Sequence, residues 1–102
     1  METPGLPEGF VPVTEDICRM CGWTDGGLTW EDGWPTASIC ACCGTESGIG
    51  DMGWPGNARH LEGIRAFRGW WVGNGAVWYR PYHRPPDWDL LTQLANIPQH
   101  WR

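Results

Sequence analysis

Apolar residues recur at helical spacing in only two stretches of this chain. Leu61, Ile64, Phe67 or Arg68, and Trp71 follow one another three or four apart, leaving Arg59, Glu62, Arg65 and Arg68 for solvent, which predicts a helix over 58–72. Asn57 suits its N-cap, and Gly73-Asn74-Gly75 its stop. Asn-Gly is equally a hairpin signal between strands at 70–72 and 77–79, but the periodicity leading into it is helical. A shorter pattern predicts a second helix over 88–96, capped by Asp87 and stopped by Pro98. Its apolar face is either Trp88, Leu91 and Leu94, or Leu90, Leu94 and Ile97. Residues 80–86 carry three prolines and read as irregular.

The first half lacks such periodicity. Residues 1–13 hold three prolines and two glycines and read as an extended or flexible lead-in that Phe10 and Val11 pin to the domain. Gly26-Gly27, Gly33 and Trp34-Pro35 make residues 23–38 a turn-rich excursion, and Thr36–Ile39 is the best strand candidate. Residues 48–55 form another loop. One domain of 102 residues accommodates a lead-in (1–13), a knuckle module (14–56) and a helical, Trp/Arg-rich half (57–102).

Where periodicity fails, cysteines take over. Cys18-Arg19-Met20-Cys21-Gly22 and Cys40-Ala41-Cys42-Cys43-Gly44 are two C-x2-C-G turns separated by eighteen residues. That spacing lies inside the roughly 15–20 residue window of four-cysteine zinc sites. Each turn aims two sulfurs at one point, and the glycine behind it permits a positive φ that directs backbone N–H groups to the thiolates. Cys18, Cys21, Cys40 and Cys43 are the expected Zn2+ ligands, in a closed shell that points to a structural metal. Cys42 breaks the repeated spacing and reads as a small buried neighbour of the site, with a redox or ligand-exchange role as the alternative.

Charge sharpens the division. Residues 1–56 hold nine acids and one base, Arg19, a balance of −8; residues 57–102 hold six arginines against three acids, a balance of +3; the chain has no lysine. The halves neutralise each other across their interface, or the arginine-bearing half faces a partner. Overall acidity counts against non-specific nucleic-acid binding. No stretch approaches the ~20 apolar residues of a membrane span, and no basic-then-apolar leader opens the chain, so a cytoplasmic protein without a membrane partner is expected. Paired thiols held for metal fit that reducing compartment.

Other chemistry is weaker. His60, His83 and His100 have no ligand spacing, and Glu46 and Asp51 read as loop-fixing acids rather than an acid/base pair. No nucleophile has a matched base, and no glycine loop cradles phosphate, so no enzymatic activity is expected. Nine tryptophans cover much area per residue and stand in for a deep aliphatic core, so most of them are expected to pack inside. Trp30, Trp34, Trp70 and Tyr82, with Arg65, Arg68, Arg80 and Arg84, are the candidate partner-binding residues, because Trp, Tyr and Arg anchor protein interfaces. The same mixture stacks bases and pairs with phosphates, which keeps a nucleic-acid-binding surface open.

Cys18, Cys21, Gly22 and Trp23, then Ile39-Cys40-x-Cys42-Cys43-Gly44-x-Glu46-x-Gly48-x-x-Asp51, resemble the pattern of a group of small, uncharacterised bacterial zinc-ribbon-like proteins. The match continues through Trp71, Gly75, Ala76 and Trp78, then Pro85, Trp88, Asp89, Leu90, Gln93, Leu94, Asn96 and Ile97. Ser47 and Ile49 depart from it, standing where aromatic residues are expected. The resemblance implies a cytoplasmic metal-binding domain and, by analogy, an immunity-like or phage-encoded role. The expected fold is a small α+β domain, a zinc-ribbon-like double knuckle of short strands and loops packed on two C-terminal helices.

Overall fold

A computed structural model describes residues 9–102; the first eight residues of the expected lead-in lie outside the described part. The fold is small α+β, with one two-stranded sheet, two helices and long stretches of turn. The sheet pairs β1 (Trp30–Glu31) with β2 (Trp34–Pro35), antiparallel, placing Trp30 opposite Pro35 and Glu31 opposite Trp34. Between them Asp32 and Gly33 both take positive φ, 51° and 84°. That is the two-residue turn whose twist matches paired strands, and Asp-Gly favours it. The strand expected at Thr36–Ile39 does not form. Ala37 turns to φ 61°, which breaks an extended run, and Ile39 keeps only an isolated bridge to Glu46.

The first helix, α1 (Ala58–Gly73), follows the predicted period, and the Asn57 side chain accepts from the His60 N–H. Ile64 and Trp71 are its buried positions. The second, α2 (Leu90–Leu94), is a five-residue helix, shorter than predicted, and Asp89 rather than Asp87 caps it through the Thr92 N–H. Asp89 also accepts from the Thr92 hydroxyl, and these two bonds hold its carboxyl below the usual range. After Leu94 the backbone tightens into i→i−3 turns, Asn96 to Gln93 and Ile97 to Leu94, and Pro98 disfavours helical geometry at the residue before it. Of the two candidate faces, Leu90, Leu94 and Ile97 pack inward while Leu91 is exposed. Within 80–86, Pro81–His83 form one 3-10 turn. No helix among the described residues is long and apolar enough to cross a membrane.

The core joins both halves around the cysteines. Cys18, Met20, Cys21 and Cys42 pack with Ile64, Trp71, Trp78, Ile97 and Trp101. Trp78 sits edge-on between Trp23 and Trp88, ring centroids 4.9 and 5.5 Å away. Charge neutralisation does not join the halves: the only ion pair among the described residues, Arg19 with Glu15, lies within the first. Arginines bond backbone carbonyls instead. Arg68 donates to the carbonyls of Arg19, Met20 and Trp101, Arg65 to that of Arg102, and Arg102 to those of Ala95 and Ile97. Loop-rich backbone leaves many carbonyls outside sheet or helix ladders, and a multi-donor guanidinium satisfies several at once.

Candidate metal centre

Both cysteine turns fold by the same two backbone bonds. The Gly22 N–H returns to the Cys18 carbonyl and the Cys18 N–H to the Trp23 carbonyl; in the second turn Gly44 returns to Cys40 and Cys40 to Thr45. Gly22 and Gly44 take φ of 84° and 79°, the left-handed conformation that the turn needs and that a side chain resists. Gly22 has a second constraint, since a Cβ there would lie 2.2 Å from the Gln93 carbonyl oxygen. α2 therefore sits directly on the first turn.

The turns bring Cys18, Cys21, Cys40 and Cys43 together, with all four sulfurs within 4.8 Å of one another. Cys18 to Cys43 and Cys21 to Cys40 are each 3.6 Å, and all five cysteines are free. Four sulfurs at ~2.3 Å from a central ion stand ~3.8 Å apart at the edges of a tetrahedron. The cluster fits a metal ion with all four positions filled by protein. As free thiols the group divides its protons unevenly. Hydrogen bonding with Cys18, then with the other sulfurs, and burial push the Cys21 thiol far up; donation from Cys18, Cys21 and Cys43 pulls Cys40 down. A bound cation replaces these shared protons, because metal ligation requires thiolates.

Around the sulfurs the chain supplies hydrogen bonds. Gln93 reaches from α2 to the Cys21 carbonyl (3.0 Å) and the Cys42 sulfur (3.3 Å), and its own oxygen accepts from the Trp88 indole at 2.6 Å. Cys42 is wholly buried; its sulfur accepts from this amide and also meets the Cys21 thiol, whose hydrogen bond pulls the Cys42 thiol below its usual value against its burial, so it borders the four-sulfur cluster without being one of the four. Its backbone carbonyl holds the Tyr79 N–H, tying the second turn to the segment after α1.

Beside the first turn lies a polar cluster centred on Arg19, which is 0 % exposed. Its guanidinium is stacked between Trp30 and Trp101, 3.9 and 4.0 Å from the ring centroids. It pairs with Glu15 at 2.6 Å and donates to the carbonyls of Asp51 and Gly53. Glu15 accepts from the Trp101 indole, while Asp51 accepts from the Trp30 indole and the Gly48 N–H. Asp51 thus fixes the loop after the second turn, as a loop-fixing acid should. Sequence reasoning missed Arg19, Glu15, Gln93 and Trp101 as structural groups. Trp101 alone carried a signal, four residues beyond Ile97 and so on the same face of a helical turn.

The candidate partner-binding residues are scattered. Trp34 is 62 % exposed in the hairpin, beside Phe10. Trp70 is equally exposed near Phe67 on α1, and Tyr82 is 80 % exposed in the 3-10 turn. Arg80 and Arg84 lie over the rings of Tyr79 and Trp88. Trp30 is buried, and Arg65 and Arg68 bond the chain's own carbonyls. Burial lowers the Arg68 guanidinium from its usual value, with repulsion from Arg65 adding to it. The chain matches no protein-family model, no curated protein and no solved structure.

Proposed function

We propose that this chain is a non-enzymatic, zinc-stabilised module that binds a protein partner in the cytoplasm, a zinc-ribbon-like double knuckle backed by its helical half. The observation that carries the reading is the cluster of four cysteine sulfurs within 4.8 Å, each pair presented by the same glycine-closed turn. Thiolate-only tetrahedral sites favour zinc or iron among common metals. Zinc suits a role that is structural and free of redox change. Its work is to hold the hairpin loop (23–36) and the aromatic-rich second half in one geometry, which lowers the ordering cost of binding. Trp34, Trp70 and Tyr82 are the exposed aromatic anchors left for a partner. The immunity-like or phage-related role implied by the motif resemblance is one setting for such an adaptor.

A nucleic-acid partner draws less support. Two of its four proposed arginines, Arg65 and Arg68, are committed to backbone carbonyls, leaving Arg80 and Arg84 for phosphates. A binder of single strands loses affinity steeply as salt rises, so an oligonucleotide titration at two salt concentrations separates the readings.

Native mass spectrometry of protein purified from cells tests the metal: one zinc per chain and a colourless solution are expected. Iron, with its visible absorption, or a metal-free folded chain would overturn it. For the partner, the zinc-loaded protein should capture a specific protein from its host lysate, and Trp34→Ala with Tyr82→Ala should abolish capture without loss of metal.

A further inference from the structure

We infer that the groove between the first cysteine turn and α2 receives a proline-rich segment of the partner, lying as a polyproline II strand with a basic residue beside it, an inference that rests on the protein-binding reading above and names the partner's chemistry. The groove measures about 300 Å³. Its walls are the half-buried rings of Trp23, directly after the first turn, and Trp88, just before α2, with Pro85 beside them. Both indoles stand edge-on to the buried Trp78, and Gln93 holds the Trp88 N–H at 2.6 Å. The walls are therefore fixed before any ligand arrives, which keeps the ordering cost of binding low. They belong to the 23–36 loop and to the second half, so the groove depends on both parts being in place.

Size and backbone chemistry select the ligand. A compact space of that volume cannot enclose a helix, whose diameter with side chains is about 10–12 Å, so the occupant is extended. Neither β1 nor β2 borders the groove, and an extended ligand finds no strand edge there to pair with its N–H groups. Proline removes those donors, and a polyproline II strand presents its carbonyls without needing a ladder. Trp30, Trp71, Trp88 and Trp101 spend their indole N–H within the chain, whereas that of Trp23 is spent on none of the described residues. It is the donor left for a ligand carbonyl, and proline rings suit the aromatic walls on either side.

Charge sets what flanks the prolines. The only charged residues lining the groove are Asp87 and Asp89, both exposed. Neither pairs with an arginine, since Arg19 with Glu15 is the only ion pair among the described residues. Arg84 lies instead over the Trp88 ring, 5.1 Å from its centroid, and does not line the groove. Asp89 spends one oxygen on Thr92, while Asp87 accepts from none of the described residues. Two carboxylates at the rim of an aromatic slot complement an arginine or lysine next to the prolines and repel a phosphate backbone.

The test is a heteronuclear NMR titration of the metal-loaded protein with acetyl-hexaproline-arginine amide, its glutamate-ended counterpart and acetyl-hexaalanine-arginine amide. The proline–arginine probe should shift the indole N–H signals of Trp23 and Trp88 and the amides of Thr24 and Thr92. The alanine probe should bind about tenfold more weakly, and the glutamate probe about threefold to fivefold, as an exposed ion pair allows. Trp23→Phe keeps a ring and removes the N–H, and should weaken the proline–arginine probe about fivefold. Asp87→Asn should bring the arginine and glutamate probes closer together while the rest of the spectrum stays in place. Equal binding of the alanine probe, a shift map centred on Trp34 or Tyr82, or the same shifts on concentrating the protein alone, the mark of a second copy, would each overturn the assignment. The probes are peptides added to pure protein, so a silent groove sinks this inference alone, while the protein-binding reading stands or falls on lysate capture.

Discussion

Arg19 lies between Cys18 and Cys21 in sequence and between two indoles in space, and its burial is complete. A buried cation is tolerated when its charge is balanced, here by Glu15, two loop carbonyls and two ring faces, with Nη2 left under the indoles without a hydrogen-bond partner. Arg19→Met keeps volume but leaves the half-buried Glu15 without its counter-charge and two carbonyls without donors. It should cost about 3–5 kcal/mol in chemical denaturation, with metal still bound at one per chain. Gly22 offers a cleaner contrast. Gly22→Ala meets both the left-handed φ and the Gln93 carbonyl, whereas Gly56→Ala meets only a φ of 92° with nothing within 4 Å. The first should destabilise by about 3 kcal/mol or more and the second by about 1 kcal/mol, so equal losses in a melt would mean that α2 does not sit on the turn.

At the scale of elements, α1 forms despite two glycines in its interior. Gly63 and Gly69 interrupt it at exposed positions where an added Cβ meets no atom within 4 Å. Each costs about 0.5–1 kcal/mol relative to alanine in a helix interior. Gly63→Ala and Gly69→Ala should therefore each raise stability by roughly that amount and add when combined, read from denaturant midpoints at unchanged slope. Losses in place of gains would reveal a close neighbour at that face. α2 shows the opposite balance: five residues are too few to hold a helix alone, and its Asp89 cap, the Leu90, Leu94 and Ile97 packing and the Gln93 bonds keep it in place.

For the whole molecule, an ion held by the four sulfurs would lock the two turns on which the second half rests. Each turn supplies two of the four clustered sulfurs, and α2 and the segment after α1 rest on those turns through Gln93 and Tyr79. Structural zinc in small peptides contributes on the order of 10–16 kcal/mol at neutral pH, comparable to the whole stability of an ordinary domain. A strong chelator should therefore abolish near-ultraviolet tryptophan dichroism in one transition. The pH dependence has a defined sign. Metal-bound thiolates carry no proton, while unfolded cysteines carry one below about pH 8.5, so the unfolded state binds more protons and stability falls as pH falls. Acidification should release metal and unfold the chain together, with the midpoint moving to lower pH as added zinc rises. A midpoint indifferent to zinc would separate metal from fold.

The sequence by itself determined what local chemistry can encode. The two C-x2-C-G turns, their eighteen-residue spacer and the period of Leu61, Ile64 and Trp71 specify the four clustered sulfurs and α1, because turn geometry and helical repeat depend on near neighbours. The Asp32-Gly33 turn carries a local signal of the same kind, yet a strand at Thr36–Ile39 was expected in its place, and the hairpin lies ahead of that segment. Only the tertiary structure decided which aromatics are core and which are surface. Trp30 and Trp34 face opposite environments four residues apart, since one meets Arg19 from a distant turn and the other meets solvent. It likewise decided that arginines join the halves through carbonyls rather than acids. Those contacts link residues about 50 positions apart, as from Arg68 to Arg19, and no local pattern records them.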